Sequence, residues 1–166
     1  MANFKNHIFF NIVLFIPISY VINNYYIKSY NTLNIIVNTI LLFSISIMFS
    51  LWPDIDTKSI GQKIFYIFFF ITDIMLISTG KINESAFLGL LVMLPIITNH
   101  RGFFHSLFAV FFFPMIFLIA PAIYYNSFTF SKIKIGFPYY LAGVIGYLSH
   151  YILDGLLWKK IKRVFL

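Results

Sequence analysis

The chain has 166 residues, 60% of them hydrophobic and 10% charged, with a formal net charge of +7. Its mean hydropathy of +0.88 excludes a soluble domain, whose apolar share is nearer about 45–50%, and predicts an integral membrane protein. Cysteine is absent, which excludes disulfides, thiolate metal sites and a cysteine nucleophile, so any metal must sit on His, Asp or Glu.

In chain order, apolar runs long enough to cross roughly 30 Å of hydrocarbon recur, and they predict an all-α bundle of about five to six transmembrane helices. Residues 1–166 are expected to form a single integral membrane unit. The first helix covers Ile8 to Ile22, and no small-residue cleavage site follows its apolar core, so it is expected to stay as a membrane helix. The second covers Leu33 to Trp52, with Trp52 at the membrane interface, and stops at Pro53, which disfavours helix at the residue before it. A polar loop, PDIDTKSIGQK, leads to a third helix from Ile64 to Ser78, closed by Gly80. A short fourth helix, Ala86 to Ile97, contains Pro95. The fifth starts near Gly102 or Phe103 and runs to Tyr125, with kinks expected at Pro114 and Pro121. A polar loop, Asn126 to Pro138, precedes a sixth helix from Tyr139 to Trp158, and residues 159–166 make a basic tail.

With both termini cytoplasmic, Lys5, Lys58, Lys63, Arg101, Lys159, Lys160, Lys162 and Arg163 lie inside and only Lys28, Lys81, Lys132 and Lys134 outside. That asymmetry favours an N-in, C-in arrangement. It also accounts for the net positive charge through helix orientation, so no nucleic-acid partner is expected.

The chain contains nine residues that are Asp, Glu or His. Seven fall in four short places: His7; Asp54 and Asp56; His100 and His105; His150 and Asp154. The predicted topology brings all four places to the cytoplasmic side. His150 and Asp154, four apart in GYLSHYILDG, share one helix face about 12 Å inside the helix end at Trp158. A carboxylate inside a membrane helix costs about 2.5–3.5 kcal/mol on insertion scales and asks for a partner, which a metal would supply. Asp54 and Asp56 point the same way in an extended loop. In NHRGFFHS, His100 and His105 flank a glycine that turns the backbone into the fifth helix.

Four histidines and three carboxylates suit mixed nitrogen and oxygen ligation of one or two divalent transition ions, with zinc first and manganese or iron as alternatives. Arg101 is the cation placed to steady developing negative charge, with Lys58 the weaker candidate. Asp73, deep in the third helix, is expected to be structural, pairing with a polar group such as Asn11, or else to support a ligand. Glu84 lies in an outside loop and carries no assignment. Two other readings use the same residues: a relay for metal ions or protons across the bilayer, or non-catalytic ties between helices with a structural metal.

The motifs PDID, HRGFFHS and GYLSHYILD, in this order between apolar helices, resemble the YdjM-like family of membrane-bound metal-dependent hydrolases, distantly grouped with the zinc phospholipase C superfamily. The resemblance spans His7 to Asp154. It implies a helical protein of the bacterial inner membrane whose metal ligands are His7, Asp54, Asp56, His100, His105, His150 and Asp154. Phe10 and Asn11 stand where a glycine is common in the family. With Arg101, Asp56 and His105 as catalytic groups, the expected activity is metal-assisted hydrolysis of a lipid or lipid-linked phosphoester at the cytoplasmic membrane face.

Overall fold

A computed structural model describes residues 4–27, 31–54, 60–97, 106–125 and 129–155. Every long element is helical. α1 is Phe4–Ile22, extended by a π-helical turn, Asn23–Ile27. α2, Thr32–Leu51, begins with Asn31 accepting the Leu33 amide and ends in a 3₁₀ turn, Trp52–Asp54, at Pro53. α3 is Ile60–Ser78 and α4 is Ile82–Ile97, joined by a turn in which Gly80 takes φ +75°. α5, Leu107–Phe112, runs through a 3₁₀ segment, Phe113–Met115, into α6, Ile116–Tyr124. α7 is Phe130–Leu153.

Among the described residues, three stretches are long and apolar enough to cross a membrane: Phe4–Ile27, Thr32–Asp54 and Leu107–Tyr124. The expected break at Pro114 is present, since the ring removes an amide donor and the backbone tightens there. α7 is the central rod, with ten buried residues, and packs most extensively on α2 and α6 and then on α1. Its glycines allow this. A Cβ on Gly146 would collide with the Ser46 backbone of α2, and one on Gly136 with the Phe117 backbone of α6. Small residues permit such close approach, and in lipid packing replaces the hydrophobic drive between helices. α3 and α4 form a hairpin that meets the rest mainly through aromatic rings, Phe65 and Phe69 lying against Trp52.

Several sequence-based boundaries move. α1, α3 and α4 each start four residues earlier than expected, so Glu84 lies in the first turn of α4 and not in a loop. The sixth helix starts at Phe130 rather than Tyr139, so most of the expected polar loop is helical and Pro138 is buried inside it. Lys132 there stands over the Tyr125 ring at 3.9 Å, a cation–π contact that makes use of its charge. The same helix stops at Leu153, because Gly155 adopts φ +65°, a left-handed turn that closes helices. Asp154 is therefore the C-cap, and His150 sits in the last turn rather than deep within the helix. Trp52 is 4% exposed and stacks on Phe49 in the core, where an interfacial ring was expected. The fifth helix begins at Leu107, with Ser106 as its N-cap. Residues 156–166 lie outside the described residues.

Candidate metal centre

The site is built at one end of the bundle from the first turn of α1, the end of α2 and the last turn of α7. Helices of alternating direction bring a start and two ends to the same side, as the topology predicts. His7 and His150 are buried, and their rings stack with centroids 4.2 Å apart and planes 13° from parallel. Asp154 closes the group: its carboxylate lies 3.5 Å from His7 Nε2 and 3.6 Å from His150 Nε2. The donor atoms of His7, His150 and Asp154 all fall within 4.8 Å of one another. Asp54 approaches from α2, with Oδ1 3.8 Å from His150 Nε2.

These separations exceed the preferred N–H···O length of about 2.9 Å. They are near the roughly 3.3 Å edge of a tetrahedron whose ligands sit about 2.0–2.1 Å from a central ion. The tautomer fits as well. His150 Nδ1 is 2.9 Å from the Ser50 carbonyl oxygen, and because a carbonyl only accepts, Nδ1 carries a proton, so in the neutral ring Nε2, on the Asp154 side, is the atom with a lone pair to give a metal. A ring orientated through its other nitrogen by a backbone carbonyl is the usual support for a metal-ligating histidine. His7 Nε2, buried, has no hydrogen-bond partner among the described residues, an arrangement that is costly unless a cation takes it up. The cluster can hold a metal ion.

A second polar layer lies one turn inward from His7 and Ser50, at Asn11 and Ser46, and meets α7 at Ser149, the residue before His150. Asn11 is fully buried and donates through Nδ2 to Ser46 Oγ at 2.9 Å and to Ser149 Oγ at 3.1 Å, while Ser149 donates to the Gly146 carbonyl at 2.7 Å. This triad ties α1, α2 and α7 directly beneath the ligands. Sequence reading passes over it and over the Ser50 carbonyl. The available signal is the spacing, since Asn11 and Ser46 each lie four residues inward from site residues. Asn11→Ala is expected to lower stability by about 2 kcal/mol and, by loosening the three ligand-bearing helices, metal affinity by about tenfold; thermal unfolding in detergent and competition with a metallochromic chelator measure the two.

Of the expected ligands, the structure brings together His7, His150 and Asp154, with Asp54 alongside. Asp56, His100, Arg101 and His105 lie outside the described residues, as does Lys58. Asp73 does not meet Asn11: its Oδ1 accepts from Ser85 Oγ of α4 at 2.5 Å, far along α3 from this end.

A family model described as YdjM inner membrane protein matches residues 1–162. Comparison with curated proteins and with solved structures gave no match. With the three membrane-length helices, the family match makes this an integral protein of the inner membrane, surrounded by lipid.

Proposed function

The chain belongs to the YdjM inner membrane protein family, and from that premise we propose that it is a metal-dependent hydrolase acting on a phosphoester of a lipid or lipid-linked substrate. The observation that carries this reading is the buried pair of stacked imidazoles facing one carboxylate at the end of the bundle. His7, His150 and Asp154 would hold the ion, with Asp54 as a further oxygen donor; two nitrogens and carboxylate oxygens make zinc the first choice and manganese or iron the alternatives. A bound ion of this kind supplies Lewis acidity to a phosphoryl oxygen and acidifies a water for attack.

The chain's own groups do the rest. Ser50 fixes the His150 ring through its carbonyl. The helix end at Gly155 sets the Asp154 carboxylate across from both rings. Asp54, whose side chain is 21% exposed, stands at the open side, where a substrate headgroup enters and a proton leaves. Arg101 is assigned the phosphate charge, and Asp56, His100 and His105, which lie outside the described residues, would complete the ligand and proton-handling set.

A relay across the bilayer is less well supported. Polar side chains continue one turn inward as Asn11 and Ser46, and the next layer is Phe15, Leu42 and Ala142, all fully buried and apolar.

Elemental analysis of protein purified in detergent is expected to find stoichiometric transition metal. Asp154→Asn, which keeps the shape and removes the charge, is expected to lower occupancy and to slow phosphate release from lipid phosphoesters by at least about a hundredfold. Metal-free wild-type protein, or a fully active Asp154→Asn variant, would sink the reading.

A further inference from the structure

Asp73 is a carboxylate in the last two turns of the apolar helix α3, and its described partner is a neutral one, the Ser85 hydroxyl. It is half-buried, and among the described residues no basic side chain pairs with it. Around it, α3 and α4 leave a lipid-facing groove of about 470 Å³ lined by Tyr66, Phe69, Phe70, Leu88, Gly89 and Val92. Gly89 creates part of that space, since a Cβ there would meet nothing within 4 Å. The Tyr66 hydroxyl, at the other end of the groove, has no hydrogen-bond partner among the described residues.

We infer that this groove binds a membrane lipid with a primary-ammonium headgroup, its hydrocarbon chain lying along α3 and α4 and its ammonium on Asp73. Two features support that occupant. The lining is apolar and opens on the lipid side, where Phe70 and Leu90 are exposed. The charge at its end is negative, Oδ1 is already engaged by Ser85, and an ammonium can donate to Oδ2 in a charge-assisted hydrogen bond. Asp73 and Ser85 lie within two turns of the Gly80 end of the hairpin, at the opposite side of the bundle from His7 and Asp154, so this lipid site is separate from the metal centre.

The test is native mass spectrometry of the full chain released from mixed micelles holding equal amounts of phosphatidylethanolamine and phosphatidylglycerol. Wild type is expected to retain the ethanolamine lipid about tenfold over the glycerol lipid, the ratio one charge-assisted contact produces. Asp73→Asn, whose amide oxygen still accepts from Ser85, is expected to bring that ratio to about one, and Gly89→Leu, which fills the groove, to remove both lipids. Equal retention of the two lipids by wild type, or an unchanged preference in Asp73→Asn, would overturn the inference. So would a dimer lost on Asp73→Asn, which would assign the groove to a second copy of the chain.

Discussion

His150→Ala is expected to abolish stoichiometric metal binding, with affinity falling more than about a hundredfold, beyond the range seen when only a supporting group is lost. Three losses coincide at this position. The lone pair of Nε2 disappears from between Asp154 and Asp54. The Ser50 carbonyl loses its imidazole donor. The stack on His7 becomes a hole in a fully buried site, which by the cost of core truncation is worth about 3 kcal/mol. Metal content by elemental analysis and unfolding in detergent separate these parts, because the cavity penalty persists in chelator-treated protein and the metal-dependent stabilisation does not. If His150→Ala retained full metal occupancy, the ion would have to sit elsewhere.

Gly146→Ala is expected to be at least as damaging, although it adds one methyl group and removes no ligand. The new carbon would overlap the carbonyl and Cα of Ser46, and backbone cannot rotate aside as a side chain does. α7 must move off α2, taking His150 away from Ser50 and Ser149 away from Asn11. A loss of about 3 kcal/mol is expected, at the upper end of overpacking costs, together with weakened metal binding. Gly89→Ala is the matched control: its Cβ meets open space, and the gain in helix propensity is about 0.5–1 kcal/mol. Melting temperatures of the two variants in the same detergent decide the point; similar melting of Gly146→Ala and wild type would show that α2 and α7 are not in backbone contact.

Much of the bundle was legible in the sequence because lipid allows few solutions: long apolar runs must be helices, and Pro53 and Pro114 mark a stop and a bend through the missing amide. The meeting of His7, Asp54, His150 and Asp154 also followed, since alternating helix direction puts a start and two ends on one side. The errors came where polarity was taken as a sign of loop. Residues 130–138 carry Ser, Lys and Pro, yet they are helical because Gly136 lets α7 sit directly on α6 and because a helix continues beyond the apolar layer wherever its packing continues. The depth given to His150 was too great because the Asp154–Gly155 pair, a helix stop, was passed over in favour of the apolar residues after it. Asp73 was expected to seek Asn11, but Ser85, one turn beyond a tight Gly80 turn, is a far nearer partner along the chain. Asn11 instead belongs to the layer under the metal ligands, a role visible only once three helices are placed side by side.

The joining of α1 to α7 sets an order of events during synthesis. Asn11 and Ser149, which share a hydrogen bond beneath the ligands, are 138 residues apart, and His7 waits for His150 over a similar distance. At about 5–20 residues per second, α1 stands in the membrane for roughly 7–28 s with His7 unmatched before α7 arrives, while Asn11 already has Ser46 of α2. If the centre holds an ion as proposed, its capture would be the closing event of assembly, and a chain truncated before α7, lacking His150 and Asp154, is expected to bind none.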